Sequence, residues 1–270
     1  GLQSLIPGGA GIAAWRNAIE DRRDGMAIQR KYFSEVSLPP FLSKREAVTD
    51  ANGRFEMKEF GPDRIVALLL ESPTIESQEI CFVSGNKIDP ISVPWYENAP
   101  ELGTLHYFPN QSDCVAAPTR PIVGVVSDLD TGKPLSGFRV LGGTVGNPMH
   151  SVEATTDSEG RFRLTGVPIG KGQNLSILPP KDQPYIAVDR PFDLVQDDEP
   201  LTMNLQAPRG TWVEGKVVHQ QTMKAVGATI SYFVFEKNDG YQRIRKNGLN
   251  LHGDMSGVQT NADGRFRVAV

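Results

Sequence analysis

Little in this sequence can do chemistry. Cysteine is scarce: Cys81 and Cys114 are the two copies in 270 residues. That is too few for a disulfide scaffold, and they lie too far apart for a CxxC redox pair or a zinc knuckle. Two separate thiols and one disulfide both fit the count. The four histidines, His106, His150, His219 and His252, stand alone, with no HExxH motif and no second ligand within a helical turn. GxSxG, the P-loop and a GxGxxG following a strand are all missing. No cofactor or metal is therefore expected, and no catalytic residue is assigned. Apolar runs fall short of the roughly 18 residues that a membrane span needs. The charge is mild, −4 from 28 Lys/Arg and 32 Asp/Glu, and the basic residues are not bunched, which argues against nucleic acid as a partner. Gly1–Ala14 lacks both an initiating Met and a basic n-region, so it reads as a boundary inside a longer polypeptide and not as a signal peptide. Phe266–Val270, in the middle of an alternating pattern, reads the same way.

What the chain does have is turns. Its 27 Gly and 20 Pro, beside 39% hydrophobic and 22% charged residues, fit short strands around a packed core. One phrase occurs three times: Thr49-Asp50-Ala51-Asn52-Gly53-Arg54-Phe55, Thr156-Asp157-Ser158-Glu159-Gly160-Arg161-Phe162 and Thr260-Asn261-Ala262-Asp263-Gly264-Arg265-Phe266. The glycines are about 107 and about 104 residues apart, the size of one small β-sandwich. In each copy Asp50, Asp157 or Asn261 can open a turn by bonding the backbone two residues on, and Gly53, Gly160 or Gly264 can close it with positive φ. The spacing predicts a hairpin, with Phe162 and Leu164 facing the core and Arg161 and Arg163 facing water. The acidic and amide residues of these turns also resemble the start of a calcium loop. The pattern stops at Gly instead of reaching a bidentate Glu, so turn chemistry is the better reading.

A second phrase occurs twice. Ile122–Asp128 precedes Thr131-Gly132-Lys133-Pro134-Leu135-Ser136-Gly137, and Val213–Val218 precedes Thr222-Met223-Lys224-Ala225-Val226. Aligning Gly124 with Gly215 places Ile122 over Val213 and Val126 over Val217 on one face, with Glu214 and Lys216 on the other. The opening strand, the Asp-x-x-Thr-Gly-Lys-Pro-Leu-x-Gly turn and the Thr-Asp-x-x-Gly-Arg-Phe-x-Leu-x-Gly-Val-Pro-x-Gly run resemble the carboxypeptidase regulatory-like domain. The resemblance is complete over about 120–207. It covers the front part of the fold in 211–270, and in 1–118 it rests on Thr49–Phe55 and the strands after it. It implies an all-β chain of tandem Ig-like or transthyretin-like β-sandwich modules: 1–118 partial, 119–208 complete and 209–270 truncated. Such modules form arrays in large multidomain bacterial proteins, some beside a membrane-anchored metallopeptidase or a sensor segment. The peptidases that name the family carry zinc on a separate domain with a His-x-x-Glu pair, which this chain lacks.

Two stretches depart from the repeat. In 11–36, Ile12, Trp15 and Ile19, then Met26, Tyr32 and Phe33, fall near helical spacing and are interrupted at Gly25, which predicts one or two short amphipathic helices on a sandwich edge. The Pro-rich 84–118 holds Trp95, Tyr96, Tyr107 and Phe108, read either as local packing or as an aromatic platform for a sugar ring. Glu236–Met255 reads as a long polar hairpin loop. Three functions compete: a non-catalytic spacer, scaffold or docking array, a carbohydrate-binding module, and an accessory segment of an enzyme. The expected partners are neighbouring domains of the same polypeptide and a glycan or protein at the cell envelope. The expected location, implied by the resemblance, is extracytoplasmic.

Overall fold

The computed structural model of the chain describes residues 2–5, 11–21, 25–35, 46–58, 60–84, 88–94, 96–98, 104–144, 151–232, 235, 237–252 and 258–270. The chain divides into two compact units, Gly1–Glu71 with Ser77–Ala116, and Ser72–Glu76 with Ala117–Val270.

In the first unit β1 (Leu2–Leu5), β2 (Phe33–Glu35), β3 (Arg64–Ser72), β4 (Ile75–Ser84), β5 (Ile91–Pro94) and β6 (Thr104–Pro109) form a six-stranded sheet in the order β2-β1-β3-β4-β6-β5. Strands β4 and β6 run parallel, with Cys81 opposite Tyr107 and Phe82 opposite Phe108. Helices α1 (Gly11–Asp21) and α2 (Gly25–Tyr32) lie over one face of this sheet. Trp15, Ile19 and Ile28 sink between Ile65, Val83 and Tyr107. The helical spacing of those apolar residues thus marks a layer on the sheet face, whereas an edge position was expected.

The second unit contains a β-sandwich. Its strands are β7 (Ile122–Asp128), β8 (Arg139–Thr144), β9 (Val152–Thr155), β10 (Arg161–Leu164), β11 (Gly170–Leu178), β12 (Val188–Leu194), β13 (Leu201–Thr202) and β14 (Leu205–Ala207). In one sheet β7 is central, flanked by antiparallel β10 and by β13 and β14, which run parallel to it. The other sheet has the order β12-β11-β8-β9, extended beyond β12 by Asn250–Leu251. Phe138, Val140, Leu164, Leu175, Ile177 and Leu194 fill the space between the sheets. Then follow β15 (Trp212–Lys216), β16 (Thr229–Ile230), α3 (Asp239–Lys246), β17 (Asn250–Leu251), β18 (Val258–Gln259) and β19 (Arg265–Ala269). Among the described residues β15 pairs with β19 and β16 with β18. The chain is a predominantly β protein of sandwich type with short helices near its N-terminus.

The repeated phrase forms the same turn three times. Asp50 Oδ1 accepts from the N–H groups of Asn52 and Arg54, Asp157 Oδ1 from Glu159 and Arg161, and Asn261 Oδ1 from Asp263 and Arg265, all between 2.8 and 3.0 Å. Gly53, Gly160 and Gly264 have φ of 75°, 72° and 73°. The turn does not close a hairpin, however. Strand β9 pairs with β8 in one sheet and β10 with β7 in the other, so the chain crosses from layer to layer. The pairs β16–β18 and β15–β19 repeat that crossing. An Asx turn with a left-handed glycine satisfies its own polar groups, so it serves a hairpin or an arch equally well.

Threonine decides between them. Thr156 is buried; its hydroxyl donates to Leu135 C=O at 2.8 Å and accepts from Phe138 N–H at 2.9 Å. Thr260 does the same with Val226 C=O and Ala228 N–H, at 3.1 and 2.9 Å. Thr49 is exposed, and no strand follows Gly53 through residue 58.

Two substitutions separate the copies. A Cβ on Gly160 would lie 2.6 Å from Val126 O, whereas nothing lies within 4 Å of one on Gly53. Gly160→Ala should cost about 3 kcal/mol or more, from positive φ plus the clash, and Gly53→Ala about 1 kcal/mol, from positive φ alone. Urea denaturation of the two variants checks this, and equal losses would show that crowding at the crossing is unimportant.

Candidate functional site

The aromatic residues of 84–118 are divided by the alternation of β6. Tyr107 points toward the helices and is fully buried. It meets the Trp15 ring edge-on at 5.1 Å and its hydroxyl donates to Gln29 Oε1. It is a core residue with no face left for a ligand. Phe108 points the other way, half-buried, with its ring 6.0 Å from Phe82. Tyr96 is exposed, and Trp95 lies outside the described residues. Tyr107 and Phe108 therefore do not share a surface.

The helix-free face of the sheet carries a different row. Phe55 packs edge-on against Phe82 at 6.4 Å, Phe82 against Phe108, and Phe108 against the His106 ring at 6.5 Å. His106 Nδ1 lies 2.9 Å from Ser92 Oγ, its register partner on β5. Burial lowers the His106 pKa, favouring neutral imidazole. Phe82 was not singled out in the sequence, and Phe55 entered only as the last residue of the repeated phrase, because the row depends on parallel pairing between β4 and β6, which is not local.

The second unit concentrates its polar groups at the turn after β7. The Asp128 carboxylate is buried; Oδ1 accepts from Asp130 and Thr131 N–H at 2.8 Å, and Oδ2 takes the Tyr185 hydroxyl at 2.8 Å. Arg209 Nε lies 3.5 Å from Oδ2, with the guanidinium over the Tyr185 ring at 5.2 Å. Burial pushes the Asp128 pKa up, but the hydrogen bonds from Thr131, Tyr185 and Asp130 outweigh it and hold the pKa at about 2. In the second copy of the phrase His219 takes this place, its Nδ1 accepting from Gln221 and Thr222 N–H at 3.3 Å.

The stretch read as a polar loop is a helix and a strand. Asn238 caps α3 by accepting from Tyr241 N–H at 3.1 Å, and Arg243, Arg245 and Lys246 occupy its last turn. Strand β17 pairs antiparallel with β12, Val188 opposite Leu251 and Asp189 opposite Asn250. Ile244 and Leu249 enter the core formed by residues 122–207. Arg190 collects the helix-terminal carbonyls of Asn247 and Gly248 at 3.1 and 2.9 Å, Arg243 pairs with Asp130, and His252 Nδ1 lies 2.7 Å from Asp189 Oδ1. Ser176 Oγ donates to that same oxygen at 2.6 Å. Hydroxyl and imidazole thus converge on one carboxylate atom, and the imidazole does not bridge the other two groups as a hydrolytic triad requires.

Cys81 is a free buried thiol whose pKa burial pushes up to about 12, and Cys114 is free and half-buried. Among the described residues no group of three or more His, Cys, Asp or Glu is arranged for a metal, and no helix is long and apolar enough to cross a membrane.

No protein-family model matches the chain, and no curated protein matches it. Solved structures give distant likenesses. The shaft pilin SpaA of Lactobacillus rhamnosus GG has a TM-score of 0.28 and 11% identity, over 61% of this chain and 70% of that one. The minor pilin of Streptococcus agalactiae has 0.28 and 15%, over 77% and 81%. A streptococcal ancillary pilin has 0.23 and 14%, over 99% and 78%. At these scores the likenesses carry no argument about function.

Asp128 makes the second unit acid-sensitive in a defined window. With its pKa held at about 2 against a usual 3.8, the carboxylate contributes stability in full above about pH 4, and that contribution is lost as pH falls through about 2. Asp128→Asn should cost roughly 2–4 kcal/mol at pH 7 and flatten the stability decline between about pH 4 and pH 2. Urea titrations at several pH values test this; a variant with an unchanged slope would place the acid sensitivity elsewhere.

Proposed function

We propose that this chain is a non-catalytic array of β-sandwich modules, 1–118, 119–208 and 209–270, that spaces and presents neighbouring domains or partners at the cell envelope, outside the cytoplasm. The reading draws on the resemblance to carboxypeptidase regulatory-like domains, with the complete motif over about 120–207. The observation that carries it is the lock between the last two modules. A spacer transmits position only if consecutive modules do not swivel. Here 209–270 sends α3 and β17 back onto 119–208, adds a strand to its sheet and places Ile244 and Leu249 in its core. Burying two such side chains contributes roughly 3–6 kcal/mol, more than a flexible tether needs. Glycine-rich linkers are what chains use when free movement between modules is wanted; the join here is Pro208-Arg209-Gly210, with Gly210 N–H bonded to Pro184 C=O at 2.8 Å.

A second reading, carbohydrate binding, has one observation in its favour: the row Phe55, Phe82, Phe108 and His106 on the open sheet face. Sugar rings stack on flat apolar surfaces. The rings in this row instead pack against one another at 77° and 40°, which leaves edges more than faces, so the scaffold reading is preferred. A glycan array with wild type, Trp95→Ala and Phe108→Ala decides between them. The scaffold reading expects no glycan whose signal falls on both substitutions.

The lock itself can be opened. Arg190→Ala with Leu249→Ala removes the carbonyl clamp and one core side chain. Residual dipolar couplings of wild type should fit one alignment tensor across 122–207 and 211–270, and in the double variant they should need two. A wild type that already needs two would refute the rigid-spacer reading.

A further inference from the structure

The segment that returns from 209–270 to the sandwich ends on a short row of polar side chains. Ile177, Val188 and Leu251 face the core, so alternation turns Ser176 of β11, Asp189 of β12 and Asn250 of β17 to the opposite face of the sheet. There Ser176 stands across from Asp189, and Asp189 across from Asn250. His252 comes two residues after Asn250, and its N–H donates to Ala187 C=O at 3.0 Å. Its ring Nδ1 lies 2.7 Å from Asp189 Oδ1. This pair ties the returning segment to a strand of 119–208.

The pair is sheltered: the His252 side chain is 25% exposed and that of Asp189 19%, so salt screens it less than it would a surface ion pair. The charged groups on the elements packed around it have partners of their own. On α3, Arg245 donates to Asn250 Oδ1, Arg243 pairs with Asp130, and Lys246 is exposed. On β12, Arg190 holds the carbonyls of Asn247 and Gly248, and Asp193 accepts from Gly172 N–H. On β8 and β9, Arg139 pairs with Glu153. Strand β11 faces the pair with Ser176, which donates to Asp189 Oδ1 at 2.6 Å, and with Asn174, whose amide donates to Ser176 Oγ at 3.1 Å. Burial alone would raise the Asp189 pKa, but the hydrogen bonds from His252 and Ser176 outweigh it and hold the carboxyl below its usual range. Asp189 is therefore ionised throughout the range in which histidine titrates.

We infer that His252 and Asp189 form a pH-operated latch on the join between 119–208 and 209–270, tight in mildly acidic surroundings and slack in alkaline ones. Histidine changes its charge between about pH 5 and pH 8, and a carboxylate 2.7 Å away favours the imidazolium. The docked segment therefore holds the proton more firmly than an undocked one. The stability this supplies is present in full below the pKa of an undocked histidine and is lost as pH rises through that of the docked one. Above it the neutral ring still donates from Nδ1, so the latch loosens without letting go. At the acid end the sign is reversed. The Asp189 contribution is present above the usual 3.8 and is lost as pH falls through the lower value of the folded protein. The latch is thus firmest between about pH 4 and about pH 6. This rests on the scaffold reading, in which the join fixes the modules. The two fail separately, since rigidity is read from alignment at a single pH and the latch from a change with pH.

The test follows the full chain by NMR at about pH 5.5 and about pH 8, on either side of the histidine range. Amide exchange, corrected for its intrinsic pH dependence, should show protection of the His252 N–H falling at least about threefold at the higher pH. The Ile177 amide in β11 should hold steady as the reference. The His252 ring should titrate above a histidine in an unstructured peptide, and a midpoint about one pH unit above requires about a tenfold fall in protection. That titration needs no substitution, so it stays decisive if a variant folds poorly. His252→Gln keeps a side-chain donor but cannot take up charge, and it should abolish the fall. Asp189→Asn should return the ring to the midpoint of the peptide. Equal protection at the two pH values, a midpoint at or below that of the peptide, or a fall that survives His252→Gln would each overturn the latch.

Discussion

A chain that crosses from one sheet of a sandwich to the other must carry backbone polar groups through the core, and in this protein a threonine hydroxyl satisfies them. Thr156 Oγ1 gives its proton to Leu135 C=O and receives Phe138 N–H, so two groups that would otherwise be buried and unpaired are both met by one side chain. Each such group left unpaired costs about 1–3 kcal/mol. Once Thr156 is held there, Asp157 and Gly160 complete a turn that sets β10 against β7, while the residues before it stay with β8. The core then has a front and a back. Phe162 and Leu164 enter from one sheet, Val140 and Ile177 from the other.

Much of this was legible because short-range chemistry repeats. Asp, Gly and an alternating strand recur at one spacing, and the glycine takes positive φ in all three places. The alternation placed Phe162 inward and Arg161 outward, as their burial has it. Whether the turn closes a hairpin or an arch was not legible. Asx bonding and left-handed glycine are local, whereas the choice of sheet depends on where Leu135 and Phe138 lie. The first copy marks the same limit from the other side. Asp50 and Gly53 form the identical turn, but Thr49 is exposed and no strand follows.

The aromatic stretch and the polar excursion misled for related reasons. Tyr107 and Phe108 are neighbours in sequence, so a strand must send them to opposite faces. Counting both toward one platform required β6 not to be a strand. Their true partners, Trp15 and Phe82, come from a helix and from a parallel strand, pairings that no local pattern announces. In α3 a single buried residue, Ile244, gives too little periodicity to mark a helix. The Asn238-Asp239-Gly240 start reads as a turn, although its asparagine is a helix cap.

Comparing the two copies of the β7 phrase shows why the excursion exists. Three changes from the first to the second weaken the local structure. A carboxylate accepting at 2.8 Å becomes an imidazole nitrogen accepting at 3.3 Å. A glycine with φ of 68° becomes Met223 with φ of 58°, a conformation that costs a non-glycine residue about 1 kcal/mol or more. Ile122 gives way to the smaller and half-exposed Val213. A sandwich half built this way has little stability of its own to set against the entropy of ordering it. Its most buried apolar side chains, Ile244 and Leu249, are not placed in its own layer but in the core formed by residues 122–207. The second copy is therefore held less by its own packing than by its neighbour, and freeing it from that neighbour would loosen it as well. Stability and fixed orientation come from the same contacts, which is what a spacer requires and an independently folding domain does not.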